Sequence, residues 1–268
     1  MSLSRSSLPL LDIENGITTE PITRRDYLAR ALTTRRNFLY RKKPFYFLPV
    51  TADADLYAGL IGREIREINN LPPEQGFELV EENKWKAAYI FFDARENKQI
   101  AIFESNNKVG LPRGLLQAFL ENQRQDIDMA AWTPHVEYIS SAPDFWVAVE
   151  EYLGRITSLN FTFLPPNALR ASEAVDDLVR AASEQANASS TDLRLRNPDG
   201  KLEPRGELVE TALATATKGG GDVSMKVGTK IVYSSATNKE TREVQPEEMP
   251  RPSAKDKVIA MGRKLLGL

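Results

Sequence analysis

Apolar positions along the chain fall into short runs with two spacings, one near three to four residues and one near two. Leu28, Ala31 and Leu32 recur at helical intervals. Residues 45–50 read as a buried strand after a turn at Lys43-Pro44. Residues 56–70 carry Leu56, Leu60, Ile61, Ile65 and Ile68 at helical spacing, which predicts a helix capped by Asp53 or Asp55. The aromatic-rich stretches 85–93 and 99–105, separated by the polar residues 94–98, predict a hairpin. A loop over 105–110 then leads into a helix over 113–123 that presents Leu115, Leu116, Phe119 and Leu120 to a core.

The second half is more regular. It predicts a strand at 135–140, a helix at 143–153 with Pro143 in its first turn, and a strand at 155–164 halted by Pro165-Pro166. A long helix follows over 168–186, with Val175, Leu178, Val179 and Ala182 on one face. Next come a strand over 192–197 ending at Pro198-Asp199-Gly200, and a helix over 207–217 closed by Gly219-Gly220-Gly221. Residues 222–227 and 230–235 form a hairpin about Gly228-Thr229. Polar residues 237–252 lead to an amphipathic helix at 254–268 with Val258, Ile259, Met261, Leu265 and Leu266 on its stripe. The expected fold is α+β, with antiparallel or mixed sheets, helices packed on one face, and two subdomains. The expected division is an N-terminal arm (1–25), an α/β domain (26–130), an α+β domain (131–236), and a linker with its C-terminal helix (237–268).

Composition removes several kinds of chemistry. None of the 268 residues is cysteine, so disulfides, thiolate nucleophiles and cysteine-ligated metals are excluded, as suits a reducing cytoplasm. One histidine, His135, rules out multi-histidine metal centres, and beside no cysteine it reads as structural. Any bound metal would be a hard ion on carboxylates, and no cofactor is expected. The N-terminus has no secretory h-region and no apolar run reaches a membrane span, so the expected location is the cytoplasm.

Charge is nearly balanced, 35 basic against 37 acidic residues, so its distribution carries the information. Residues 24–43 hold eight basic side chains against Asp26 alone, interleaved with Tyr27, Phe38 and Tyr40. Cations can neutralise phosphates, and aromatics can stack on bases. Arg24, Arg25, Arg35, Arg36, Arg41, Lys42 and Lys43 are therefore the candidate nucleic-acid contacts, with Lys226 and Lys230 on the last hairpin as weaker ones. The competing reading is a solvated helix face. The 105–110 loop with Arg113 precedes a helix N-terminus, a place that suits anions, but it lacks the order of a phosphate-binding loop.

Asp93 and Glu104 on the expected hairpin could face each other and hold a metal for phosphodiester cleavage, although Asn106 stands where a nuclease of the restriction type needs lysine. Enzymatic activity is left open, with a non-enzymatic role favoured. A third reading is an interaction module of a defence complex whose C-terminal helix docks on a partner.

Residues 155–167 (RITSLNFTFLPPN) and 192–202 (DLRLRNPDGKL), followed by a helix into the glycine-marked hairpin at 218–235, resemble the C-terminal half of a bacterial phage-exclusion and abortive-infection family. This is the family of the Rex A protein of phage lambda. The resemblance spans under half of the chain, and no site residue is carried over from it. It implies a non-enzymatic, homodimeric protein that binds nucleic acid, DNA rather than RNA, in defence against phage.

Overall fold

The structure, a computed structural model, describes residues 2–5, 10–11, 18–19, 22–95, 98–164, 173–186 and 188–268. Most of the 1–25 arm, the Pro165-Pro166 stop and the first turn of the expected 168–186 helix lie outside these residues. The short strands β1 (Ser2–Arg5), β2 (Leu10–Leu11) and β3 (Thr18–Thr19) come first. Helix α1 (Arg24–Thr33) leads into β4 (Arg36–Tyr40), β5 (Lys43–Asp53), β6 (Leu56–Asn70), β7 (Leu79–Asp93) and β8 (Ile100–Phe103). Then come α2 (Pro112–Asn122), β9 (Trp132–His135), α3 (Ala142–Tyr152), β10 (Ser158–Phe163), α4 (Glu173–Ala186) and β11 (Thr191–Arg196). The last elements are α5 (Glu207–Thr215), β12 (Gly221–Val227), β13 (Lys230–Ser234) and α6 (Lys255–Leu266). The fold is α+β with antiparallel sheets. Among the described residues no helix is long and apolar enough to cross a membrane.

The chain packs as two units, one built around residues 130–243 and the other around 22–95, 100–129 and 244–268. In the first, the sheet order is β11-β10-β12-β13. Leu159, Phe161 and Phe163 alternate along β10 and bury one face with Val223, Met225 and Tyr233. Helices α3, α4 and α5 all cover that face, through Phe145, Val149, Val179, Ala212 and Leu213. β1 pairs separately with β9. That strand is Trp132–His135, so the one expected at 135–140 lies further upstream and ends where it was to begin.

The second unit holds a five-stranded meander, β4-β5-β6-β7-β8. The stretch 56–70, expected to be helical, is instead β6, paired along its full length with β7 from Leu56↔Asp93 to Asn70↔Leu79. Leu56–Gly62 is covered on both faces, which hides the two-residue alternation of a strand. The informative residues were Gly59 and Gly62, poor in a helix and suited to close cross-strand approach. A Cβ at Gly59 would enter the Phe47 ring, and one at Gly62 would crowd the Lys86 carbonyl.

One face of this sheet carries Phe38, Phe45 and Phe47 against α1 and α2, with Phe47 and Phe119 rings 4.5 Å apart. The opposite face, with Ala58, Tyr89 and Phe91, is covered by Val258, Met261 and Leu265 of α6. The apolar stripe of the C-terminal helix therefore closes the core of its own unit. Gly262 gives α6 its close approach, because a Cβ there would meet the Phe91 ring and Leu56.

Candidate nucleic-acid interface

β4 and β5 pair from Arg36↔Phe47 to Tyr40↔Lys43, leaving Arg41 and Lys42 as a two-residue turn. The chain thus reverses just before the expected Lys43-Pro44, and Pro44 pairs with Leu39 inside the hairpin. Arg41 and Lys42 both have positive φ, 51° and 63°, as a type I′ turn demands and Asn-Gly ordinarily provides. For residues with a Cβ this conformation costs on the order of 1–2 kcal/mol each. Two cations are retained here against that local cost. Arg41, Lys42 and Lys43 are all exposed. None has a carboxylate partner among the described residues, and the Arg41 guanidinium lies 5.3 Å from the Tyr40 ring centre.

The ground beneath the tip comes from three separate segments. Tyr40 lies on Gly114 in the first turn of α2, where a Cβ would overlap its phenol. Helix α2 begins at Pro112 with no side-chain cap from Leu111, and Gly114 in its first turn, next to Arg113, is the residue that meets Tyr40 of the hairpin. Arg63 lies 5.5 Å from the Phe45 ring centre, two residue pairs behind the tip, and donates to the Lys108 carbonyl at 2.9 and 2.7 Å. The fold therefore adds Arg63 and the 105–110 loop to the cations at 41–43. Sequence reading missed Arg63 because it fell inside the expected helix.

The rest of the basic segment is distributed differently. Thr23 caps α1 by accepting from the Asp26 N–H at 3.1 Å. Arg25 pairs with Asp55 at 3.2 Å, and Arg36 with Asp126 at 2.7 Å. Arg24 is half-buried on the helix, and Arg35 is exposed in the connection to β4. Arg36 and Tyr40 stand at opposite ends of β4, about 13 Å apart at strand rise. The cluster thus splits into an ion-paired end and an open tip.

In the other unit, Ser158, Asn160 and Thr162 of β10 face away from the helices, alternating with the buried Leu159, Phe161 and Phe163. Ser158 is flanked in register by Arg196 of β11 and Lys226 of β12, and Asn160 by Arg194. Arg194 and Arg196 are exposed and Lys226 is half-buried, with no carboxylate partner among the described residues. Lys230 is exposed where it pairs with Val227 at the hairpin end. The alternation in Asp192-Leu193-Arg194-Leu195-Arg196 already placed both arginines on one face, a signal left unused.

Asp93 and Glu104 do not converge. Asp93 pairs with Ile100, whereas Glu104 lies beside Tyr89, about 13 Å further along the strands. Asp93 is buried and accepts from Arg95 at 2.9 and 2.7 Å, and this contact raises the guanidinium's pKa further. Glu104 accepts from the Tyr89 N–H at 2.8 Å. Among the described residues no group of three or more acidic or histidine side chains could hold a metal ion.

No protein-family model, curated protein or solved structure matches this chain.

Proposed function

We propose that this protein binds nucleic acid, DNA in preference to RNA, through the β4–β5 hairpin, and acts as a homodimer in cytoplasmic defence against phage. The observation that supports this reading is the Arg41-Lys42-Lys43 tip. Unfavourable backbone geometry maintained at a run of exposed cations is the kind of strain that accompanies binding sites. Arg35, Arg63 and the start of α2 extend the positive surface along which a phosphate backbone would run. The defence role rests on the phage-exclusion resemblance of residues 155–167 and 192–202. The patch of Arg194, Arg196 and Lys226 is a second candidate contact, to be tested separately.

The test is fluorescence anisotropy of labelled duplex DNA, single-stranded DNA and RNA at several salt concentrations. Binding should weaken steeply with salt, because each neutralised phosphate releases counterions. Replacing Arg41, Lys42 and Lys43 together by Glu should flatten the log–log salt slope by about two to three. An unchanged slope removes the hairpin from the site, and no binding of any of the three at low salt ends the nucleic-acid reading. Loss of plating protection in the same variant would tie the contact to defence.

A further inference from the structure

β6 and β7 outrun the rest of their sheet. β5 leaves β6 at Tyr46↔Gly62, and β8 joins β7 only from Ile90 onward. From Arg63↔Lys86 to Asn70↔Leu79 the two strands continue as a ribbon with no third strand on either edge among the described residues. At strand rise it extends for about 23 Å. An isolated two-stranded ribbon is at best marginally stable in water, so something should support it.

The two faces of this arm differ. One holds Glu67, ion-paired with Lys86 at 3.4 Å and Lys84 at 3.8 Å, and Lys84 in turn meets Glu82 at 2.8 Å. The other holds Trp85, Ile68 and Leu79, which are 62, 64 and 72 % exposed, with Phe77 at 58 % in the turn beyond. This is the face that α6 covers nearer the root, through Ala58, Tyr89 and Phe91. Past the end of that cover the same face stays open, its exposed apolar side chains interspersed with Glu64, Arg66, Asn70, Glu81 and Asn83. Together the four side chains expose roughly 500 Å² of apolar surface, as much as the largest patch on an ordinary monomer.

We propose that this face is the dimer interface, occupied by the same arm of a second copy packed face to face about a two-fold axis. The pattern along the arm is self-complementary. Trp85 stands at the root and Leu79 at the end, while Arg66 and Glu81 form an exposed ion pair between them. Antiparallel superposition of two arms sets Trp85 of each copy against Leu79 of the other. It also brings Arg66 of each copy toward Glu81 of the other, so no like charges meet at the centre. Two such faces would bury about 1,000–1,200 Å², the lower limit for a specific interface. The proposal names the surface for the homodimer of the preceding reading and rests on that part of it alone, not on nucleic-acid binding.

Sedimentation velocity without nucleic acid tests it. The unmodified chain should be a dimer at micromolar concentration, and Ile68→Lys with Leu79→Lys should shift it to monomer without changing its circular dichroism at 25 °C, while its melting temperature falls and no longer depends on protein concentration. The absence of native cysteine permits a second test. Ile68→Cys should cross-link to a single dimeric species with a short bis-maleimide, whereas Asn69→Cys on the opposite face should not. A dimer that survives the lysine pair, or cross-links equally from Asn69→Cys, overturns the arm interface and leaves the homodimer standing. A chain that stays monomeric up to about 100 μM overturns both, leaving the stripe to a different protein.

Discussion

The phenol of Tyr40 lies directly on the Cα of Gly114, joining the tip of the β4–β5 hairpin to the first turn of α2. No side chain fits between them. Gly114→Ala should therefore displace Tyr40 and with it the Arg41-Lys42 turn, at a cost of about 1–3 kcal/mol for overpacking. Thermal melting should show the loss. Adding Tyr40→Ala should recover part of it, since the two sites share one clash. Purely additive losses would mean that the contact does not position the tip.

Tyr27 ties α1 to α2 by donating its buried hydroxyl to the Leu120 carbonyl at 2.7 Å. Tyr27→Phe should destabilise the second unit by about 1–2 kcal/mol in urea unfolding. Burial raises the pKa of this hydroxyl above its ordinary 10.0, opposed by the nearby Arg124 charge. Because the folded value exceeds the unfolded one, the associated stability is complete below pH 10 and declines as pH rises toward the folded value. Spectrophotometric titration of the native protein should show a late-ionising tyrosine that is absent from the titration of Tyr27→Phe. A stability curve that is flat above pH 10 would contradict this.

Glu67 should make the arm sensitive to acid. The hydrogen bond from Lys108 holds its carboxyl below the ordinary 4.5; desolvation opposes this, and Lys86 adds to it. A lowered folded pKa stabilises the arm above the ordinary carboxylate value, and that contribution disappears as pH falls through the folded value. Backbone amides of residues 63–70 and 79–86 should exchange faster in acid than those of β12 and β13. Glu67→Gln should show the fast exchange already at neutral pH.

Leu265→Ala should cost about 2–4 kcal/mol, because this side chain fills the core between α6 and the sheet. The expected readout is a lower melting temperature with the oligomeric state unchanged. A change in oligomeric state at constant melting temperature would restore the C-terminal helix as a docking element for a partner.

Much of the local structure was written in the sequence. The helical spacing of Leu115, Leu116, Phe119 and Leu120 marks α2, and the alternation of Leu159, Phe161 and Phe163 marks β10, because each element meets the core on one side only. The β12–β13 hairpin about Gly228-Thr229 was equally legible, as was the basic character of residues 24–43. Periodicity failed at Leu56–Gly62, where β6 is covered on both faces and no spacing survives to identify it. Three features came only from tertiary structure: the pairing of Arg25 and Arg36 with acids, the separation of Asp93 from Glu104, and the arrival of Arg63 and α2 beside the hairpin tip. Each depends on which distant segment packs alongside. A one-dimensional pattern records how often a residue meets the core, whereas contact between distant segments is fixed by the register of the sheet and the packing of helices upon it.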